Sequence, residues 1–271
     1  MGLRDDLRGT IPESVCMGLP NGYDVIGNIA IITPQNPLPP DPEIRRIIAD
    51  AITARHHNII TVLAKTADTS GPFRTAGFTV LSGEETVTTH HEYGCRYCLD
   101  LRETFFSPRL GCERQRVAGS IQPGERILIP FCGVGPFVVP AAKRGARVVA
   151  LEKNAYACRW LLHNLHLNNV YENVDLLHAD AFAIPQLVQG TFSRAILPAP
   201  YGLNELAFLP RVLPSVIPGG LLHLYTFDAK NNLAEREKIY NSLGLEIMEI
   251  RRCGYVAPAI ARWAVDLKKI K

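Results

Sequence analysis

The 271-residue sequence lacks the long apolar segment that a membrane helix requires, because no apolar run reaches about 18 residues. It also lacks the basic and then apolar start of a secretory signal peptide, so we expect a cytoplasmic protein with no membrane partner. The seven cysteines are odd in number and do not form the framework of a small secreted protein, so we expect reduced thiols. A net charge of +3 is too small to indicate nucleic-acid binding by itself.

Internal repeats and low-complexity segments are also absent, and two regions of different pattern divide the sequence. In the first region short β-branched segments dominate, and Tyr23 to Ile32 is expected to form one strand. A helix is expected from Asp41-Pro42, where an N-cap residue precedes a proline in the first turn. We therefore predict a small β-rich α+β domain over residues 1–118.

In the second region strands and helices alternate at a spacing typical of a parallel sheet covered on both faces. Apolar strands are expected at 126–130, 147–151, 174–178, 194–197 and 221–227, with a helix at 155–167. Two late strands, 245–251 and 260–267, are expected to close the sheet as an antiparallel pair. For residues 119–271 we therefore predict an α/β fold of the class I methyltransferase (Rossmann-like) type, doubly wound and with closing antiparallel strands.

The segment 127–137 joins an expected strand to an expected helix through Gly133 and Gly135. Glycines let the backbone approach a ligand closely, and the helix N-terminus offers unpaired amides. Seventeen residues after Gly135, Glu152 ends the next strand, where an acidic side chain can hydrogen-bond both ribose hydroxyls of an adenosine. Asp180 follows the third strand, where it can meet the adenine amine.

This glycine segment has three interpretations: a tight turn without a ligand, a dinucleotide site, or a site for S-adenosylmethionine. The acidic residues at successive strand ends argue against a simple turn. A dinucleotide site requires a third glycine or alanine, which cradles the pyrophosphate, where this sequence has Val138. S-adenosylmethionine contains no phosphate, so the missing glycine favours S-adenosylmethionine as the cofactor.

Two motifs carry a resemblance to a known family: Phe131-Cys-Gly-Val-Gly-Pro-Phe137 and Phe106-Ser-Pro-Arg-Leu-Gly-Cys-Glu-Arg114. The sequence resembles the archaeal and eukaryal tRNA guanosine-37 N1-methyltransferases and their relatives, the aminocarboxypropyl transferases of the wybutosine pathway. The resemblance covers about residues 20–271 and continues in Ile26-Gly-Asn-Ile-Ala-Ile-Ile32, Ser70-Gly-Pro-Phe-Arg-Thr75 and Tyr255-Val-Ala-Pro258. It implies an enzyme that uses S-adenosylmethionine to modify tRNA in the anticodon region.

The resemblance also implies roles for individual residues. Glu113 is the implied base for the guanine N1 proton, and Arg74 is the implied donor to guanine O6. The implied substrate-binding residues are Arg109, Arg114 and Tyr201, and the implied cofactor-binding residues are Phe131, Gly133, Gly135, Glu152, Lys153, Asp180, Ala181 and Pro198. Other interpretations are an ordinary helical ion pair for Glu113, a phosphate contact for Arg74, and a sheet cap for Tyr201.

The sequence departs from the methyltransferase branch after the fourth strand of the sheet. Leu197-Pro-Ala-Pro-Tyr201 replaces Asn-Leu-Pro, so the asparagine that helps to hold the target guanine is absent near Pro198. Many members also carry an additional N-terminal domain, for which we expect no room in this chain. Methyl transfer is the main expectation, and aminocarboxypropyl transfer is the alternative.

Two other function classes stay open at this point, a small-molecule methyltransferase and an RNA-binding protein without catalysis. An N-terminal domain separate from the sheet domain favours RNA over a small metabolite as the substrate. The acidic residues Glu152 and Asp180 at the strand ends favour a catalytic protein. Cys95 and Cys98 have the spacing of half a zinc site, but no second ligand pair follows them. We therefore expect no metal.

Overall fold

The computed structural model describes residues 2–66, 77–257 and 259–271. The chain divides into two compact units, Met1–Pro108 and Arg109–Lys271. The stretch 109–118, expected in the first domain, therefore belongs to the second unit. One reason is that Arg116 donates two hydrogen bonds to Asp266, which lies near the end of the chain.

The described residues of the first unit form a four-stranded sheet and a separate hairpin. Their elements are α1 (Leu3–Leu7), α2 (Glu13–Gly18), β1 (Asp24–Ile26), β2 (Ile29–Ile32), α3 (Pro42–Thr53), β3 (Thr61–Lys65), β4 (Phe78–Ser82), β5 (Val87–Glu92) and β6 (Cys95–Asp100). The sheet has the order β1-β2-β3-β4, with β2 and β3 parallel and the outer pairs antiparallel. This mixed sheet with flanking helices agrees with the predicted α+β character.

The single strand expected from Tyr23 to Ile32 is wrong, because the chain reverses at Gly27 and forms the hairpin β1–β2. Gly27 has a φ of +58°, a left-handed conformation that favours glycine. A Cβ atom at this position would lie 2.0 Å from the Thr88 hydroxyl oxygen. A run of β-branched residues therefore concealed a turn that one glycine makes possible.

Helix α3 begins where its capping residues predict. The Asp41 side chain accepts a hydrogen bond of 2.9 Å from the Glu43 amide, and Pro42 occupies the first turn. Ile48 and Ile52 are fully buried, so the helix packs one apolar face on the core of the first unit.

The described residues of the second unit form a seven-stranded sheet with helices between the strands. Its elements are α4 (Gly111–Gly119), β7 (Arg126–Pro130), α5 (Val138–Lys143), β8 (Arg147–Glu152), α6 (Ala155–Leu167), β9 (Val174–His178), α7 (Ile184–Leu187), β10 (Phe192–Leu197), α8 (Glu205–Val212), β11 (Val216–Asp228), α9 (Leu233–Ser242), β12 (Leu245–Ala257) and β13 (Ile260–Lys269). The strand order is β12-β13-β11-β10-β7-β8-β9. Strands β7 to β11 are parallel, and β13 is antiparallel to both β11 and β12. This topology confirms the predicted class I methyltransferase sheet with its closing antiparallel pair.

The neighbouring strands β10, β11 and β13 have two buried faces of opposite chemistry. The apolar face consists of Ala195, Leu197, Leu222, Leu224, Trp263, Val265 and Leu267, which share one hydrophobic cluster with Phe208 of α8 and Tyr240 of α9. The opposite face, called here the charged face, carries Arg194, His223, Tyr225 and Asp266 beside the buried Ile196 and Ala264, and helix α4 contacts it through Glu113 and Arg116. Both faces follow from strict side-chain alternation along the same strands.

Candidate cofactor and substrate site

The glycine turn after β7 contains residues in the left-handed conformation. Phe131, Gly133 and Gly135 have φ values of 54°, 54° and 93°. A Cβ atom on Gly135 would lie 2.4 Å from Leu161 Cδ1, so this glycine lets helix α6 pack closely against the turn. A Cβ atom on Gly133 would meet nothing within 4 Å, so Gly133 borders open space in which a ligand can lie.

Glu152, at the end of β8, is bonded to this turn. Its Oε2 accepts a hydrogen bond of 2.8 Å from the Gly133 amide, and its Oε1 accepts one of 2.8 Å from the Asn154 amide. Each carboxylate oxygen can accept a further hydrogen bond. The pair of ribose acceptors that the sequence predicts is therefore held rigidly beside the open side of Gly133.

Lys153 and Asp180 lie at the same edge of the sheet as Glu152. The Lys153 ammonium is 2.8 Å from Asp180 Oδ2, and this hydrogen-bonded cation lowers the pKa of the Asp180 carboxyl. Asp180 Oδ1 accepts a hydrogen bond from the Phe182 amide, which fixes the turn that contains Ala181. Ala181 is buried, with 3% of its surface exposed. Both side chains of the ion pair are about half exposed, so they lie at the solvent-facing border of the site.

The loop after β10 carries Pro198, half-buried, and Tyr201, exposed by 51%. The Tyr201 ring meets Phe227 of β11 edge to face, at 5.2 Å between centroids. The Arg262 guanidinium of β13 lies 5.1 Å from the centroid of Phe227. Tyr201, Phe227 and Arg262 form the aromatic rim, a group suited to stacking on a planar base. Phe131 instead packs its ring on Phe208 of the core, at 5.0 Å.

Glu113 is buried, with 8% of its surface exposed. Its Oε2 accepts hydrogen bonds from Arg116 Nε at 3.0 Å and from the Tyr225 hydroxyl at 3.4 Å. Arg251 of β12 lies 3.7 Å from Oε1. The ion pair with Arg116 agrees with one interpretation of the sequence, but the burial and the partners on two strands distinguish Glu113 from a solvated helical glutamate.

The arginines near Glu113 differ in their accessibility. Arg109 is exposed, whereas Arg114 is only 2% exposed and Arg116 is engaged with two carboxylates. The burial of Arg114 argues against the substrate contact expected for it, because its guanidinium is withdrawn from the surface. Arg74, the implied donor to guanine O6, lies outside the described residues.

Cys95 and Cys98 lie in the hairpin β5–β6, and neither forms a disulfide within the described part of the chain. Within residues 2–66, 77–257 and 259–271, no group of three or more His, Cys, Asp or Glu side chains could hold a metal ion. In the same residues, no helix combines the length and the apolarity needed to cross a membrane.

Sequence reasoning offered Arg116 as an ion-pair partner of Glu113, but it missed Asp266 and His223, which hold Arg116 in place. A signal was available, because His223 lies between two leucines and Asp266 lies between Val265 and Leu267 within the expected strands. Charged or polar residues at such positions need buried partners. Their pairing, however, depends on which strands are neighbours.

Comparison with known protein families extends over nearly the whole chain. The TRM5/TYW2 methyltransferase domain matches residues 88–248, and the TYW2 N-terminal domain matches residues 3–86.

Curated relatives come from both branches of the enzymes that the sequence resembles. The chain is 32% identical over 266 residues to tRNA (guanine(37)-N(1))-methyltransferase Trm5b of Pyrococcus abyssi, covering 95% of this chain and 78% of that protein. It is 28% identical over 278 residues to the tRNA(Phe) (4-demethylwyosine(37)-C(7)) aminocarboxypropyltransferase of Pyrococcus horikoshii, covering 99% and 96%. The tRNA (guanine(37)-N(1))-methyltransferase of Danio rerio is 32% identical over 176 residues, which are 64% of this chain and 35% of that enzyme.

Solved structures that are similar to this chain also come from both branches. The complex of aTrm5 with tRNALeu matches all of this chain and 78% of that chain, with a TM-score of 0.87 at 26% identity. The TYW2 of P. horikoshii in complex with MeSAdo matches 98% of this chain and 97% of that chain, with a TM-score of 0.75 at 25% identity.

Proposed function

The chain belongs to the TRM5/TYW2 methyltransferase family, and on that premise we propose that it methylates N1 of guanine 37 in tRNA, next to the anticodon. It is a tRNA-modifying transferase that depends on S-adenosylmethionine. The observation that carries the choice of reaction is the Glu113 carboxylate, anchored through Oε2 and with no hydrogen bond to Oε1 among the described residues. Guanine N1 bears a proton at neutral pH, so its methylation needs such an acceptor.

The residues at the glycine turn fit an adenosine. Glu152 offers two oriented carboxylate oxygens to the ribose, and Gly133 leaves the adjacent space open. Asp180 and the backbone of Ala181 lie two and three residues beyond the strand end paired with Glu152, within the same sheet edge. When bound, S-adenosylmethionine supplies a methyl group on a positively charged sulfur, which departs as a neutral thioether.

Glu113 removes the N1 proton through Oε1 while the N1 electron pair forms the new bond to carbon and the carbon–sulfur bond breaks. The aromatic rim of Tyr201, Phe227 and Arg262 stacks on the purine, since a base must leave the RNA stack to reach an enclosed site. Arg109 is exposed and suited to a tRNA phosphate. Arg74 retains its proposed role at guanine O6, where negative charge develops as N1 loses its proton.

Aminocarboxypropyl transfer is the second candidate, and two observations favour it. The first unit matches the TYW2 N-terminal domain, and this chain covers 96% of the Pyrococcus horikoshii aminocarboxypropyltransferase. Pro198 stands where the resemblance to methyltransferases calls for an asparagine.

Mass spectrometry of tRNA nucleosides distinguishes these functions. The protein is incubated with S-adenosylmethionine and with tRNA transcripts that carry guanine or adenine at position 37, with free guanosine as a third substrate. We expect 1-methylguanosine from the guanine-37 transcript alone. A fourth substrate, tRNA(Phe) that carries 4-demethylwyosine at position 37, tests the second candidate. An aminocarboxypropyl nucleoside formed from it would support that candidate, and methylation of free guanosine would contradict a tRNA enzyme.

Replacement of Glu152 tests the cofactor site separately. Glu152→Ala should weaken S-adenosylmethionine binding by about 1.5–3 kcal/mol, the range for hydrogen bonds to a charged group. Isothermal titration calorimetry measures the affinity, and Glu172→Ala, an exposed acidic residue outside the site, is the matched control. Equal affinities for the two variants would contradict the assignment of Glu152 to the ribose.

A further inference from the structure

Three polar side chains lie in a row across the charged face of the sheet. Arg194 is on β10, His223 on β11 and Asp266 on β13, and His223 and Asp266 are direct partners in the antiparallel register. Arg194 and His223 are 4% and 5% exposed, and the Asp266 side chain is 18% exposed. Polar groups buried to this degree need complete sets of partners.

Arg194 uses all of its N–H groups. It donates to both carboxylate oxygens of Glu125 at 2.8 and 3.1 Å, to the hydroxyl and carbonyl of Ser120 at 3.0 and 3.1 Å, and to His223 Nε2 at 2.6 Å. A guanidinium can only donate, so His223 Nε2 is the acceptor. The imidazole proton therefore lies on Nδ1 and is donated to Asp266 Oδ1 at 2.7 Å.

Asp266 extends the row to the candidate base. Arg116 donates to Asp266 Oδ2 at 2.5 Å and to Oδ1 at 3.1 Å, in the two-point geometry of a strong charge-assisted pair. The same guanidinium binds Glu113 Oε2 through Nε at 3.0 Å and Nη2 at 2.9 Å. A continuous chain of hydrogen bonds, here called the polar row, thus runs from Glu125 through Arg194, His223, Asp266 and Arg116 to Glu113.

His223, Asp266 and the neighbouring Tyr225 each have one stable protonation state near neutral pH. Burial lowers the pKa of His223, and the hydrogen bond to Asp266 does not restore it. Burial alone would raise the pKa of Asp266, but the hydrogen bonds from His223 and Arg116 hold it at about 2. Burial and the Glu113 charge raise the pKa of Tyr225 well above its ordinary value, so this hydroxyl keeps its proton and donates it. Donors and acceptors along the row are therefore fixed.

Stability alone does not explain the polar row, because apolar residues of similar volume in place of buried ion pairs are often as stable or more so. The opposite face of the same strands is apolar. The polar row ends on the one carboxylate proposed to accept a proton, and it binds only one of its two oxygens. We propose that Arg116, held by Asp266 and His223, is the positioning residue that holds the Glu113 carboxylate by Oε2 and directs its Oε1 toward the guanine.

This inference rests on the proposed function, in which Glu113 is the base. The charged and titratable groups that face Glu113 are Arg116 on its own helix, Tyr225 on β11, Arg251 and Cys253 on β12, and Asp266 on β13 beyond Arg116. Arg116 donates a hydrogen bond to Oε2 through Nε and places Nη2 2.9 Å from the same oxygen, whereas the Arg251 guanidinium is 3.7 Å from Oε1 and its side chain is 35% exposed. Arg116 is therefore the cation whose loss should alter the acid side of the rate profile.

The test compares rate–pH profiles of single turnovers for Arg116→Gln, Arg116→Lys and Asp266→Asn. Arg116→Gln removes the positive charge beside Glu113, so we expect the rate at neutral pH to be at least about 10-fold lower. We also expect the acid limb of the profile, the part in which the rate falls as the pH is lowered, to shift to higher pH by about one unit or more. Arg116→Lys keeps the charge but cannot bridge two carboxylates, so we expect a lower rate and an acid limb at the same pH as in the wild type. Asp266→Asn should lower the rate, because Arg116 loses its two-point anchor. Cofactor affinity, measured by calorimetry, should stay unchanged in all three variants.

Val265→Ala is the matched control, since it shortens a buried side chain on the opposite face of the same strand. It should lower the melting temperature and leave both the rate of folded enzyme and the acid limb unchanged. If Glu113→Gln keeps its full rate, the proposed function fails. If Glu113→Gln is slow but Arg116→Gln and Asp266→Asn keep the wild-type rate and acid limb, only the inference about Arg116 is overturned. The inference about Arg116 is also overturned if Arg116→Gln is slow but the acid limb of its profile does not shift. It is overturned as well if Arg116→Gln does not fold and Arg116→Lys keeps the full rate.

Discussion

The two buried faces of strands β10, β11 and β13 differ in chemistry although the same backbone carries both. Leu222 and Leu224 are fully covered on the apolar face, and His223 between them is almost as buried on the charged face. Each apolar side chain buried there contributes about 1.5–3 kcal/mol. The ionic groups opposite add little net stability, because loss of their hydration offsets their attraction.

The difference indicates that the two faces of one sheet have different roles. The apolar face packs against helices α8 and α9, whereas the charged face holds one carboxylate of helix α4 in a fixed orientation. Stability can be supplied by many combinations of apolar side chains of the right volume. A defined orientation of Glu113 requires particular donors at particular distances. Concerted replacement of the ionic groups by apolar side chains should therefore preserve stability but abolish activity.

The largest expected effect comes from making the charged face apolar. A variant that combines Glu113→Leu, Arg116→Met, His223→Leu and Asp266→Leu should lose at least about 100-fold in single-turnover rate, because no base is left. Its free energy of unfolding should stay equal or rise by about 1–4 kcal/mol, as for other buried ion pairs replaced by apolar groups. Urea unfolding and nucleoside mass spectrometry measure the two quantities. Strong destabilisation would show that the charged face also holds the fold.

Truncation of one residue on each face sharpens the comparison. Asp266→Ala should cost about 3–5 kcal/mol, because it leaves Arg116 and His223 with an unpaired buried donor each. Leu224→Ala should cost about 2–5 kcal/mol through the cavity that it creates. The losses of stability are similar, but only Asp266→Ala should lower the rate of the folded enzyme. A lower rate for folded Leu224→Ala would contradict the division between the faces.

The smallest effect is the pH dependence of stability, to which the charged face should contribute and the apolar face should not. Asp266 has a pKa of about 2 in the folded chain against an ordinary value of 3.8, so it contributes about 2 kcal/mol above pH 4 that is lost as the pH falls toward 2. The pKa of His223 is lowered by folding, so protonation favours the unfolded chain and stability should also fall below about pH 6.5.

Urea unfolding between pH 3 and 7 measures these contributions. Asp266→Asn should flatten the dependence at the acid end, and His223→Gln should flatten it near pH 6. Leu224→Ala should keep the wild-type slope at a lower absolute stability. Identical slopes for the wild type and His223→Gln would remove His223 from the pH dependence.

Local sequence patterns predicted the elements that depend on short-range signals. Helix α6 has the expected bounds, because Asn154 caps its first turn and its buried residues recur at helical spacing. The glycine turn and Glu152 were also placed together, because a parallel sheet brings the ends of adjacent strands to one edge. The error at Gly27 arose because β-branched residues indicate a strand but not where it folds back.

The sequence by itself determined the class I methyltransferase fold, since the spacing of its strands, helices and glycines extends over a few dozen residues. Its motifs carried the resemblance to the family and the prediction of an adenosine site at one edge of the sheet. Only the tertiary structure decided which side chains hold Glu113. Arg116 and Asp266 are 150 residues apart, and Arg194 and His223 are 29 apart. They meet because β13 inserts between β11 and β12, and because α4 lies over the charged face. Strand order is set by the packing of the whole sheet, so no local pattern contains it.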